Sequence, residues 1–149
     1  MSRAVIRPVV AGDEAEWRRL FTAYLVFYEA SVGEDVYRTT FARLLADDPW
    51  QPKGLIAEVD GRPAGLVHYL FHSHTWRVER ITYLQDLYAD PEVRGAGVGR
   101  ALIEAVYRVA DAEGAPGVYW TTQHFNETAR RLYDRIGELT PFIKYQRPR

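Results

Sequence analysis

Between Leu84 and Arg100 the chain reads LQDLYADPEVRGAGVGR, an extended apolar run carried through an Arg/Gly-rich loop directly into an amphipathic helix. A strand that enters a helix through glycines commits its neighbourhood to an α/β arrangement. It also predicts an anion site. Successive glycines let backbone N–H groups converge without Cβ obstruction, the helix adds the positive end of its dipole, and Arg94 and Arg100 supply formal charge. Phosphate is the natural guest, and a side chain replacing one of these glycines is expected to clash with it.

The flanking sequence extends this unit into one domain over residues 1–149. Ala4 to Arg7 reads as a short strand, and Asp13 opens a helical pattern placing Trp17, Leu20, Phe21, Tyr24 and Tyr28 on one face, a stripe expected to be core. After a Gly-containing loop at Ser31 to Glu34, Val36, Phe41, Leu44 and Leu45 predict a second helix ending before Asp48-Pro49. Gly54 to Val59 and Ala64 to Phe71 flank Asp60-Gly61-Arg62-Pro63, a hairpin signal. Arg80 to Ala89 is a further strand. Val98, Leu102, Val106 and Val109 make the stripe of the helix after the glycine loop, with Glu104 and Arg108 paired on another face.

Val118 to Thr122 predicts a short strand, Asn126 can cap a helix running to about Ile136, and Pro141 to Gln146 offers a closing strand. The predicted order is β-α-α-β-β-β-α-β-α-β, a mixed, largely antiparallel sheet flanked by helices.

Composition narrows the function. A formal net charge of −1 and a pI near 6.4 give no general attraction to nucleic acid or to an anionic membrane, so anion recognition must be local. The absence of cysteine excludes disulfides, thiolate nucleophiles and cysteine metal sites. The opening MSRAVIRPVV lacks the apolar stretch of a signal peptide and no apolar run approaches a membrane span, so the expected location is the cytoplasm. His68, His72 and His74 recur along one strand in a metal-like pattern. No carboxylate or cysteine converges with them, however, and solvent-facing histidines with no metal are expected. Trp50, Trp76 and Trp120 are expected to pack, and His124 to lie in a surface loop.

Spacing then separates the phosphate-binding loops. The run Gly95, Gly97, Gly99 puts Arg100 where a dinucleotide fingerprint needs its third glycine, and no Gly-Lys-Ser/Thr follows as a nucleoside triphosphate loop requires. What remains, Arg94-Gly95-Ala96-Gly97-Val98-Gly99, matches the Q/R-x-x-G-x-G/A pyrophosphate loop of the GNAT superfamily of acetyl-CoA-dependent N-acetyltransferases. LQDLYADPEV resembles that family's fourth strand and NETARRLY, from Asn126 to Tyr133, a second family-like segment. AVIRPVVAGDEAEW, DGRPAGLVHYL and PFIKYQR extend the resemblance over nearly the whole chain. YLQDLYADPEVRG and WTTQHFNETARRLYD look most like the diamine and polyamine acetyltransferase branch, which acetylates primary amines of small cationic molecules.

The resemblance implies a set of roles. Acetyl-CoA would lie between the strands carrying Asp86 to Ala89 and Val118 to Thr122, with its pantetheine along Leu87, Tyr88 and Ala89 and its pyrophosphate on Arg94, Gly95, Ala96, Gly97, Val98, Gly99 and Arg100. Asn126 would bond the pantetheine arm, and Tyr133 stands where the family places its general-acid tyrosine. The amine must lose a proton before attack. Gln85 occupies a position where the branch often has Glu, and an amide cannot serve as that base. Asp86 is the nearest carboxylate, though strand alternation points it away from Gln85 unless a bulge intervenes. It is either the base or an orienting or structural group, with ordered water as the other route. Tyr28, Glu29, Glu34 and Asp35 cluster where relatives build the acceptor pocket, and acid plus aromatic suits a cation. The stretch from Gly137 to Lys144 is shorter than the two terminal strands of many members, which permits strand exchange in a homodimer. A protein N-acetyltransferase and a CoA-binding sensor without turnover are the alternative functions.

Overall fold

The computed structural model describes residues 3–93 and 95–149. Five strands form one sheet in sequence order: β1 (Val5–Pro8), β2 (Lys53–Val59), β3 (Arg62–His72), β4 (Ile81–Ala89) and β5 (Val118–Tyr119). The first four pair antiparallel, and β5 joins β4 in parallel. The helices are α1 (Glu14–Phe27), α2 (Glu34–Leu45), α3 (Val98–Ala112) and α4 (Glu127–Ile136), with a 3-10 turn at Ala11–Asp13 ahead of α1.

Alternation along the central strands builds two cores on the two faces of the sheet. Leu55, Ala57, Val67, Tyr69 and Leu84 pack against Leu102, Ile103 and Val106 of α3. Ile56 and Leu66, one residue out of phase, pack on the other face against Trp17, Leu20 and Phe21 of α1 and Phe41 and Leu44 of α2. The β2–β3 hairpin turns through Asp60 (φ 53°) and Gly61 (φ 75°), left-handed at both central positions as a two-residue turn between twisted strands requires. Arg7 ties the edge together, donating to both oxygens of Asp13 at 2.8 Å and to Glu58 at 2.6 Å. That pairing lowers the pKa of Asp13.

Several expectations are corrected. β5 stops at Tyr119 rather than Thr122, and Pro141 to Gln146 forms no strand among the described residues. A strand needs a neighbour for its backbone groups, and this segment extends into solvent with Phe142 81% and Tyr145 89% exposed. Trp50 and Trp76 do not pack into the core, Trp76 being 85% exposed, whereas Trp120 does pack against it. Glu104 turns back to Arg100 at 3.3 Å. No helix among the described residues is long and apolar enough to cross a membrane.

Candidate functional site

β4 and β5 are joined by only two residue pairs, Thr82 with Val118 and Tyr83 with Tyr119. Two bonds to the α3–β5 connection anchor the closed end: Thr82 N–H donates to Gly117 O at 2.8 Å and Thr82 Oγ1 to Ala115 O at 2.9 Å. Beyond Tyr83 the β5-facing edge of β4 has no strand partner among the described residues, leaving its backbone groups open on that side.

The glycine loop joins the end of β4 to α3. Asp90 starts it, its backbone N–H bonding Ala64 O and its carboxylate accepting from Glu92 N–H at 2.9 Å. Gly95 (φ 84°) and Gly97 (φ 67°) are left-handed and turn the chain into α3. Among the described residues no side chain caps this terminus, so the first-turn N–H groups of α3 face outward for an anion. The expected steric role of the glycines is refined here. A Cβ on Gly97 would meet nothing within 4 Å, so its constraint is backbone conformation. The close approach is at Gly65 of β3, where a Cβ would come within 2.6 Å of Val98 and 2.7 Å of Tyr88 O. That glycine lets the start of α3 sit against the sheet. Val98 is buried, Ala96 half-buried, and Gly99 lies against Leu132 of α4. Arg100 is exposed and bonded to Glu104, and Arg94 lies outside the described residues.

On the opposite face, a β-bulge decides where the carboxylate points. His68 pairs with Asp86 but Tyr69 with Leu84, leaving Gln85 as the extra residue on β4. Leu84 and Leu87 both pack in the α3-side core, with two residues between them instead of one. The simple alternation expected from sequence is therefore broken at Gln85–Asp86. Asp86 turns to the α1 face, where its Oδ2 lies 2.9 Å from His68 Nδ1. His68 Nε2 in turn lies 2.9 Å from Trp17 Nε1. The expectation of a solvent-facing His68 is overturned, since it is only 3% exposed.

Two tyrosines, Tyr24 of α1 and Tyr28 just past its end, face Asp86. Burial first, then the Asp86 carboxylate, holds the hydroxyl of Tyr24 well above the usual tyrosine range and raises that of Tyr28. Burial, with a smaller effect from Tyr28, pushes Tyr133 of α4 up to about 12. The Tyr133 ring stands edge-on to Trp120 at 5.5 Å, and Tyr107 donates to Ile136 O at 2.7 Å, fixing the end of α4 on α3. Asn126 begins α4, accepting from Ala129 N–H at 3.4 Å. Nearby in sequence, Thr122 Oγ1 is buried without a hydrogen-bond partner among the described residues.

The remaining positions separate. Tyr88 packs on the α1-side core, while Ala89 and Gln85 are exposed. Glu29 is exposed at the end of α1 with φ 55°. Glu34 receives two bonds from Arg18, at 2.7 and 2.8 Å, which lower its pKa. Asp35 accepts from Val36 N–H. Sequence reasoning missed the Trp17–His68 pair. The available signal was parity, because His68 falls on the same face of β3 as core residue Leu66. Among the described residues no group of three His, Asp or Glu is placed to hold a metal ion.

Residues 17–137 match the family model described as the acetyltransferase (GNAT) family. The chain is 38% identical over 149 residues to the D-amino-acid N-acetyltransferase HPA3 of Saccharomyces cerevisiae, covering 97% of this chain and 91% of that protein. It is 29% identical over 127 residues to the thialysine N-epsilon-acetyltransferase of Bos taurus, covering 83% and 71%. Among solved structures, the aminoglycoside acetyltransferase AAC(6')-Iy in complex with the bisubstrate analogue CoA-S-monomethyl-acetylneamine aligns with a TM-score of 0.83 at 21% identity, over 99% of each chain.

Proposed function

Because the chain belongs to the GNAT family of acetyltransferases, we propose that it transfers acetyl from acetyl-CoA to a primary amine of a small, cationic molecule, by direct attack in a ternary complex. The observation that carries this reading is the Asp86 carboxylate facing Tyr24 and Tyr28, with Tyr133 of α4 beside Tyr28, next to the unpaired edge of β4. One carboxylate among tyrosine rings suits an ammonium group before reaction and its proton during it. The relatives named for D-amino acids and thialysine make amino-acid-like amines the first acceptors to try.

The residues divide the work. The N–H groups of Gly95, Ala96, Val98, Gly99 and Arg100, with Gly97 turning the chain, hold the pyrophosphate, and Arg94 and Arg100 add charge. The open edge of β4 at Leu87, Tyr88 and Ala89, with Asn126 and the unpartnered Thr122 hydroxyl, fits the amides of the pantetheine arm. Tyr28 and Gln85 border the amine, with Glu29 at the rim; Glu34 contributes by fixing Arg18. Asp86 takes one proton from the ammonium before attack, and the second proton on nitrogen passes to water once the N–C bond has formed. A backbone N–H near Leu87 or Tyr88 meets the oxygen on which charge develops. As the C–S bond breaks, Tyr133 gives its proton to the sulfur. Solvent then restores both groups.

Thiol release from acetyl-CoA, followed across polyamines, diamines, D- and L-amino acids, amino-bearing drugs and peptides, tests the proposal. Acceleration by a small amine, lost by roughly 100-fold or more in kcat with Asp86→Asn, is expected. Acceleration by peptides alone would make the chain a protein acetyltransferase. Calorimetric CoA binding without any turnover would make it a sensor.

A homodimer is part of the same proposal. The extended segment after α4 exposes Leu139, Phe142, Ile143 and Tyr145, and β5 is an open sheet edge. Adding the segment to that edge of a second copy would cover both. Sedimentation equilibrium should give a dimer mass for the full chain and a monomer mass for a chain ended at Gly137; a monomeric full chain overturns this part.

A further inference from the structure

We propose that Trp17 and His68 form a buried positioning pair that selects which oxygen of Asp86 is free to take the amine proton. This rests on the reading of Asp86 as the base. The pair uses no surface group and lies on α1 and β3, outside the glycine loop and the unpaired edge of β4.

The direction of each bond follows from donor counting. An indole N–H can only donate. Trp17 Nε1, 2.9 Å from His68 Nε2, therefore meets a lone pair there, and the single ring proton of His68 sits on Nδ1. Nδ1 lies 2.9 Å from Asp86 Oδ2 and donates to it. Oδ2 thereby carries the imidazole bond, the Tyr24 hydroxyl also bonds the carboxylate, and Oδ1, which takes no bond from His68, is the oxygen presented to the amine. The tryptophan fixes the tautomer, the tautomer fixes the carboxylate, and the carboxylate presents one oxygen.

The packing holds this chain in place. Trp17 has no exposed surface. Phe41 tilts against its ring at 5.1 Å and Tyr37 meets it edge-on at 6.2 Å. Phe21 stands edge-on to His68 at 5.2 Å. Across the sheet, Gly54 of β2 makes room: a Cβ there would lie 3.6 Å from the imidazole Cδ2 and 2.9 Å from Val9. The titratable groups facing the pair are Asp86 on β4, bonded to His68, and Tyr37 on α2, edge-on to Trp17, with Arg18 lying over the Tyr37 ring at 5.2 Å; Tyr24 on α1 and Tyr28 just past its end face Asp86 in turn, with Tyr83 on β4 beside Tyr24.

The arrangement also ends the proton's path. If His68 accepted a second proton it would present an N–H to the indole N–H, two donors facing each other with no acceptor. The proton removed from the amine therefore stops on Asp86 and leaves by the mouth of the site, instead of passing inward through the imidazole.

Two-bond 15N–1H correlation on the labelled full-length protein near neutral pH reads the tautomer directly, with the His68 signals identified by their loss in His68→Asn. A protonated Nδ1 and an unprotonated Nε2 are expected; a protonated Nε2 overturns the inference whatever the activity. Trp17→Phe keeps a ring but removes the donor. It is expected to mix the tautomers and lower kcat about tenfold while leaving the KM for acetyl-CoA unchanged. His68→Asn, whose amide can reach the same oxygen, should retain more kcat than His68→Ala. Folded Trp17→Phe and His68→Ala proteins with wild-type kcat, alongside an inactive Asp86→Asn, would sink the positioning role alone. An active Asp86→Asn would instead sink the reading of Asp86 as base and leave the tautomer result standing.

Discussion

The glycine loop and the Asp86 cluster are built from different parts of the polypeptide. The first is one contiguous segment working through backbone: two left-handed glycines and an uncapped helix start. The second is assembled from side chains on α1, β3 and β4, joined by the 2.9 Å bonds of His68 and by the field of Asp86 on Tyr24 and Tyr28, with Tyr133 of α4 beside Tyr28. A backbone site tolerates varied side chains but not a changed φ. A side-chain site tolerates a changed loop but not a lost hydroxyl or carboxylate.

That contrast can be broken most forcefully at Gly97. Gly97→Glu puts an L-residue at φ 67° and a carboxylate where the phosphates are expected. CoA affinity measured by calorimetry should fall by at least roughly 100-fold. Unchanged affinity would remove the backbone account of that side. On the other side, Tyr133→Phe should lower kcat by roughly 10- to 100-fold with little change in the KM for acetyl-CoA. Because Tyr133 keeps its proton to about 12, its loss should not contribute a basic decline in rate through the ordinary tyrosine value of 10.0. The reverse split, a raised KM with kcat intact, would make it a binding residue. The smallest effect is expected at Asn126, whose cap is long at 3.4 Å. Asn126→Ala should cost about 0.5–1 kcal/mol and about 2 °C in melting temperature by calorimetry. A several-fold larger loss would assign Asn126 more than a cap.

The same contrast explains what could be read from the residues alone. The strand, glycine loop and helix are consecutive in sequence, so their spacing carries the local geometry. The Asp60-Gly61 turn and the Trp17-to-Tyr28 stripe are legible for the same reason. The bulge at Gln85 has no local signature; it arises from the register of β3 against β4, and it decides where Asp86 points. The Trp17–His68 bond spans 51 residues and depends on the packing of α1 across the sheet. The closing strand was predicted from its composition, but pairing requires an edge, and no edge of the described sheet takes it.

The two residue pairs that join β4 to β5 have a consequence for what can enter between them. Each rung missing beyond Tyr83 leaves amide and carbonyl groups hydrated until something with the repeat of a peptide replaces the water. A guest that spans this gap completes the sheet instead of merely filling a hole. Its arrival should therefore be recorded as slowed amide exchange along residues 85–89, a protection pattern ordinarily produced by adding a strand.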